Sequence, residues 1–192
     1  GSTGFIGGYL SHALAKAGHE LRLLIRPGRE GAAPAIEGKP PELFIGDLSD
    51  PGSLEGFLEG SQLLIHLASA HDHLNDEQMR DVNIGGTEAL LAEATRCGYN
   101  ESSDFEVWVV SSAVIGAPVY SYYRDTKRIQ EKLIRGCGIN WTSFRPTLVY
   151  GHGDMRHTAP LLRQCGQAKG SIWVPHDGKS KINPVHVDDV VD

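Results

Sequence analysis

The sequence predicts an α/β domain in which helices wind over both faces of a parallel sheet. Three observations carry this. Short apolar runs of strand character alternate with stretches of helical period. The chain opens on Gly1-Ser2-Thr3-Gly4-Phe5-Ile6-Gly7, three glycines at three-residue spacing set directly before an amphipathic stretch. Turn residues punctuate each change of element, and no apolar run approaches the ~18 residues of a membrane span.

The first helix is expected over Phe5–Ala17, where Phe5, Ile6, Tyr9, Leu10, Ala13, Leu14 and Ala17 recur at helical spacing. Gly18-His19 turns the chain, and Glu20–Ile25 reads as a buried strand ended by Arg26-Pro27-Gly28-Arg29. A Gly-, Ala- and Pro-rich loop leads to a short strand at Leu43–Ile45, closed by Gly46-Asp47. Asp50-Pro51 sets an N-cap and an N1 proline for a helix ending near Gly60. Leu63–Ala68 is the next strand, followed by a polar loop and a long helix ending near Cys97. Val107–Val110 is a strand, Tyr123–Arg135 a helix, and Trp141–Phe144 a strand. Beyond Gly151 the pattern loosens to a helix around Pro160–Lys169, a short strand at Ile172–Val174 and a turn at Asp177-Gly178. Residues 1–150 read as one unit and 151–192 as the start of a smaller lobe interleaved with it. A phosphate-binding turn should follow a buried strand, so a first strand is expected to be missing before Gly1. The end at Val190-Val191-Asp192 likewise reads as cut at the start of a helix.

A chain of 192 residues, 40% hydrophobic and 22% charged, is long enough for a sizeable core. Its net charge of −6 argues against nucleic acid or an anionic membrane as the main partner. Cys97, Cys137 and Cys165 are odd in number and lack CxxC spacing, which implies reduced thiols in the cytoplasm and neither a disulfide frame nor a zinc site.

A glycine turn opening a helix suits a pyrophosphate. The backbone can approach closely, and the helix N-terminus offers unpaired N–H groups and the positive end of its dipole. The GxxGxxG spacing alone also fits an ordinary small-residue turn. Tyr123-Arg124-Asp125-Thr126-Lys127 sets a tyrosine and a lysine four apart on one helix face, with Cβ atoms roughly 5–6 Å apart. An ammonium beside a phenol favours phenolate, which makes Tyr123 a candidate general acid/base. An exposed helix face is the plain alternative. The strand before that helix ends in Ser111-Ser112, at the carboxyl edge where such sheets bind ligands.

Taken together, these motifs resemble the short-chain dehydrogenase/reductase superfamily, in its extended branch of NAD(P)-dependent epimerases, dehydratases and reductases. Gly46-Asp47-Leu48, His66-Leu67-Ala68, Asn83-Ile84-Gly85-Gly86-Thr87, Arg145-Pro146-Thr147-Leu148-Val149-Tyr150-Gly151 and Val185-His186-Val187-Asp188-Asp189-Val190 extend the resemblance over the whole chain. The resemblance implies a Rossmann-type fold with a substrate lobe. Gly1, Gly4 and Gly7 would lie under the cofactor's pyrophosphate, with backbone contacts from Phe5 and Ile6. Asp47 and Leu48 would hold the adenine, and Leu67 and Ala68 would line the ribose and diphosphate side. Asn83 would support the central helix and the cofactor site, and Pro146 and Leu148 would border the nicotinamide. Ser111, with Ser112 as the alternative, would bind the substrate oxygen. Tyr123 would be the acid/base, and Lys127 would bind the ribose hydroxyls and tune Tyr123.

Two departures stand out. Only twelve positions separate Ser111 from Tyr123, so a substrate-facing loop is either shortened or absent. At the end of the second family strand an acidic residue would bind the ribose of NAD, but here Ile25 is followed by Arg26 and then Arg29. A guanidinium suits a 2′-phosphate, so NADP is the expected cofactor and NAD the alternative. Arg26 as a solvated strand end is the plain reading.

His71-Asp72-His73 reads as a solvated loop, His186, Asp188 and Asp189 as helix caps, and Trp108, Trp141 and Trp173 as core; no metal site is expected. Three functions follow: an NADP-dependent oxidoreductase acting on a small-molecule carbonyl or alcohol, a nucleotide-sugar epimerase or dehydratase with tightly held NAD, and a non-catalytic cofactor sensor. Family likeness implies a homodimer.

Overall fold

The computed structural model describes residues 1–70, 75–118, 120–156, 158–167, 179 and 181–192. The order is α1 (Phe5–Lys16), β1 (Arg22–Ile25), β2 (Glu42–Ile45), β3 (Leu63–His66), α2 (Asp76–Arg80), α3 (Gly86–Arg96), β4 (Glu106–Val110), α4 (Tyr122–Arg135), β5 (Asn140–Phe144), β6 (Leu148–Tyr150), α5 (Thr158–Gln167), β7 (Pro184–His186) and α6 (Val187–Val191). Every pairing is parallel: β1 with β2, β3 with β4, β4 with β5, and β6 with β7. Parallel neighbours need a crossover. Here α2 and α3 carry the chain from β3 to β4, and α4 carries it from β4 to β5.

Leu64 of β3 and Val107 and Val109 of β4 alternate onto one buried face. Ala89, Leu90 and Ala94 of α3 join them in the core, with Leu54, Phe57, Leu58 and Ile134. The apolar period of each helix thus meets the period-2 face of the strands.

Among the described residues the strands form three pairing groups in place of one continuous sheet, and the facing edges of β1 and β3 pair with no further strand. A groove of about 890 Å³ lies there, lined in part by Leu23, Leu24, Leu64, His66, Leu10 and Leu14. Most of α1's apolar stripe therefore stays half-covered, with Gly7 and Ser11 its buried residues.

The helix expected from Asp50 to Gly60 is a single 3-10 turn, Pro51–Leu54, and Asp50 does not cap it through its side chain. Gly56 (φ +87°) and Gly60 (φ +70°) take left-handed values that stop a right-handed helix. The long helix is irregular as well, since a π-helical turn, Asp81–Gly85, joins α2 to α3. Such turns are frequent at functional sites.

Trp141 is exposed, with the Arg135 guanidinium 5.6 Å from its ring centroid, and Trp108 is half-buried. The expectation of core tryptophans fails at Trp141, which lies on β5, an edge strand among the described residues. His186 Nδ1 accepts from the Asp188 N–H at 3.3 Å and caps α6, which packs against α1. His71-Asp72-His73, the strand at Ile172–Val174 with Trp173, and the turn at Asp177-Gly178 lie outside the described residues. Among the described residues no helix is long and apolar enough to cross a membrane, and no cluster of His, Cys, Asp or Glu could hold a metal ion.

Candidate active site

The opening turn closes through Gly4 N–H donating to Gly1 O at 3.0 Å, and Gly8 N–H donates to Gly4 O at 2.9 Å to start α1. No side chain caps this helix. Gly1 and Gly7 are required for room. A Cβ on Gly1 would sit 2.6 Å from Ala68 N, and one on Gly7 would sit 2.1 Å from Gly1 O. The turn is therefore packed backbone to backbone, on itself and on the segment leaving β3. Phe5 and Ile6 follow with their N–H groups in the first helical turn, where unpaired donors and the dipole favour an anion. A nucleotide diphosphate fits such a cradle.

Arg26 and Asp47 follow the ends of β1 and β2. The Asp47 carboxyl is held below its usual range chiefly because Oδ1 accepts from Ser49 N (2.9 Å) and Ser49 Oγ (2.7 Å), with the Arg26 charge a smaller contribution. Leu48 follows Asp47 in the chain. Its side chain is buried in the core, and a Cβ added to Gly86 would lie 2.8 Å from Leu48 Cβ. Leu67 and Ala68 lie against Gly1. Pro146 O accepts from Ala113 N–H (2.9 Å) and so ties the chain after β5 to the chain after β4; Leu148 begins β6.

Asn83 lies in the π-helical turn, fully buried. Its Oδ1 accepts from Ala70 N (2.7 Å), and its Nδ2 donates to Ala70 O (3.2 Å) and Thr126 Oγ1 (3.1 Å). With its amide spent, Asn83 clamps the loop after β3 to α4 and keeps no amide proton for a cofactor. Thr126 Oγ1 in turn donates to Tyr123 O at 2.8 Å.

Tyr123 is half-buried in the first turn of α4, whose N-cap is Ser121. Lys127, one turn on, is fully buried; its Nζ donates to Val110 O (2.9 Å) and Gln130 Oε1 (2.7 Å). These two acceptors take two of the three ammonium protons. Burial pushes Lys127 down from 10.5 to about 8, with the Glu131 carboxylate opposing the change. Val110 ends β4, so Lys127 reaches the strand end from which Ser111 follows. Ser111 Oγ is buried and has no hydrogen-bond partner of good geometry among the described residues, whereas Ser112 Oγ accepts from Val114 N–H and caps a turn.

The sequence pattern left Glu131 unremarked. It lies one turn beyond Lys127, buried, and takes a bidentate contact from Arg145 (Nε 2.9 Å, Nη2 2.7 Å) and a hydrogen bond from Ser143 Oγ (2.9 Å). The repeat of a polar residue at every fourth position, Tyr123, Lys127, Glu131, was the available signal. Arg145 first, and the nearby hydroxyls of Ser111 and Ser143, hold the Glu131 carboxyl down at about 2 against an ordinary 4.5. A depressed carboxyl stabilises the fold above its unfolded value, and that gain is lost as pH falls toward the folded value. The full difference is about 3 kcal/mol. With Arg145 half-exposed, screening leaves about 2 kcal/mol. Glu131→Gln is expected to lower stability by that amount at pH 7 and by only a few tenths near pH 2. Urea midpoints of the two proteins across pH check this; a gap independent of pH would refute it.

The family described as NAD dependent epimerase/dehydratase matches residues 1–192. Ceramide reductase of Caulobacter vibrioides is 30% identical over 189 residues, 98% of this chain and 56% of that protein. Sterol demethylase protein B of Methylococcus capsulatus is 31% identical over 198 residues, 83% of this chain and 58% of that protein. The chain thus spans little more than half the length of these two relatives. Among solved structures, the dTDP-glucose 4,6-dehydratase DesIV of Streptomyces venezuelae, with NAD and TYD bound, superposes with a TM-score of 0.76 at 21% identity, covering 100% of this chain and 68% of that one, a likeness of fold.

Proposed function

The chain belongs to the NAD dependent epimerase/dehydratase family, and from that premise we propose that it serves an NADP-dependent oxidoreductase acting on a carbonyl or hydroxyl of an apolar, lipid-like small molecule. One observation carries the reading. At the end of β4 the buried Ser111 hydroxyl, which lies near the Glu131 carboxyl but makes no hydrogen bond of good geometry among the described residues, follows the carbonyl that binds Lys127, on the helix whose preceding turn bears Tyr123. A bound nicotinamide supplies or takes the hydride. Ser111 donates to the substrate oxygen and orients it. Tyr123 gives that oxygen a proton in reduction and takes one in oxidation. Lys127 places positive charge behind both. The Gly1–Gly7 turn and the first turn of α1 hold the diphosphate, with Leu67 and Ala68 along the ribose and diphosphate, Asp47 and Leu48 toward the adenine, and Pro146 and Leu148 toward the nicotinamide.

The substrate class is supported by exposed apolar side chains close to Tyr123 in sequence and beyond Gly151, namely Tyr120, Met155, Leu161, Leu162 and Ile182. The two relatives quoted are named for a ceramide and a sterol. A cytoplasmic, homodimeric enzyme completes the reading; its three cysteines are unbridged.

The test is to identify the nucleotide released on denaturing the purified full-length protein, then to follow NADPH consumption with a panel of sterol and long-chain ketones. Net consumption supports the reading. Tightly held NAD that never exchanges, with no net consumption, would replace it with an epimerase or dehydratase. Arg26→Asp is expected to move the NADP-to-NAD preference at least about tenfold toward NAD, the size of one charge-assisted contact of about 1.5–3 kcal/mol. An unchanged ratio of affinities would remove Arg26 from cofactor choice.

A further inference from the structure

A row of buried polar side chains crosses from β3 to α4: His66, Thr87, Gln130 and Lys127, exposed by 3%, 1%, 0% and 1%. Thr87 Oγ1 donates to Asn83 O at 2.8 Å, which leaves its oxygen as an acceptor. Gln130 Nε2 lies 3.0 Å from both Thr87 Oγ1 and His66 Nε2, which are themselves 2.9 Å apart, so the N–H end of the amide faces this pair of acceptors. This assignment leaves the imidazole proton of His66 on Nδ1. Burial first, and the charge of Lys127 next, push His66 down to about 3, so the ring is neutral and able to accept. With its nitrogen end committed, Gln130 can turn only its oxygen toward Lys127 Nζ, at 2.7 Å. The flipped amide would set N–H against the ammonium.

We propose that Gln130 is a positioning residue that holds Lys127 Nζ at the end of β4 in its charged form, and that His66 and Thr87 act by fixing the direction of the Gln130 amide. The proposal rests on the functional reading above, because it gives Lys127 a task in the reaction. Burial disfavours an ammonium, so Lys127 stays charged near neutral pH only through acceptors supplied by the protein. The ionisable groups around it are His66 from β3, held neutral, and Tyr123 and Glu131 from α4. Arg145 stands behind Glu131 and draws off part of its field. The π-helical turn and α3 contribute only Asn83 O and the Thr87 hydroxyl to the row. That makes a neutral oxygen at 2.7 Å the adjustable element: its loss weakens the charged form, and a carboxylate in its place strengthens it.

The test uses the full-length protein with 13Cε-labelled lysine and follows the Lys127 signal by NMR against pH, which needs no turnover. Gln130→Leu is expected to lower the Lys127 midpoint by about one pH unit or more, as the loss of a hydrogen bond to a charged group implies. Gln130→Glu is expected to raise it. In the active enzyme kcat should fall about fivefold near pH 8 in Gln130→Leu, as a one-unit shift of the midpoint implies, with KM and nucleotide affinity within about twofold, and the pH profile of kcat should move in the same direction as the NMR midpoint. If Gln130→Leu does not fold, the near-isosteric Gln130→Glu decides alone. A Lys127 midpoint that does not move in the variants that fold overturns the proposal. A midpoint that moves in a protein with no oxidoreductase turnover upholds the Gln130–Lys127 link and sinks the functional reading instead.

Discussion

Gly7→Ala is expected to abolish nucleotide binding and to cost about 3 kcal/mol of stability, the upper part of the range for overpacking. The added Cβ would stand 2.1 Å from Gly1 O and 2.8 Å from both Gly1 C and Ser2 Cα. These are backbone atoms, so no rotamer change can clear the way. Gly1 cannot retreat either, because it already lies against the Leu67–Ala68 backbone. Relief therefore requires lifting the turn from β3 or unwinding the first turn of α1, and either one scatters the N–H groups that would face a diphosphate. Gly8→Ala is the matched control. A Cβ there meets nothing within 4 Å and sits inside a helix. It is expected to raise stability by about 0.5–1 kcal/mol and leave binding alone. Calorimetric titration with NADP and a thermal melt of each variant check both halves. A Gly7→Ala protein that binds NADP like its parent would remove the turn from the cofactor site.

Tyr123→Phe is expected to reduce kcat by about a thousandfold, within the span that general acid–base catalysis contributes, while nucleotide affinity changes less than about twofold. The ring is kept, and it is the backbone oxygen of Tyr123, not the phenol, that receives Thr126 Oγ1. The link from Asn83 through Thr126 to the start of α4 therefore survives the substitution. Single-turnover reduction with the best ketone of the panel, beside a binding titration, separates lost chemistry from lost binding. Retained turnover in Tyr123→Phe would take the proton-transfer role from this residue.

Much of the fold was legible because the signals are local. The periodic stretch after the glycines became Phe5–Lys16, and the apolar runs became strands displaced from expectation by only one or two residues. Elements whose cause is distant were not legible. β6 and β7 are three residues each and exist because they pair with one another across an intervening helix. The residues from Pro51 to Gly60 carry good helix-start chemistry, yet Gly56 and Gly60 turn left-handed there. The π-helical turn at Asp81–Gly85 has no period of its own in the sequence.

The site divides in the same way. Residue types and spacing alone determined the glycine turn, the Tyr123–Lys127 helix stripe, the serines ending β4 and the basic residue after β1, because each is a pattern within one element and its cap. Only the tertiary structure decided where those groups point. It gave Lys127 to Val110 O and Gln130 Oε1, spent the Asn83 amide on Ala70 and Thr126, buried Leu48 in the core and closed Glu131 onto Arg145. Hydrophobic period tells a side chain which face to take. Its hydrogen-bond partner depends on which other elements arrive at that face, and a buried polar group must accept whichever partner that meeting supplies.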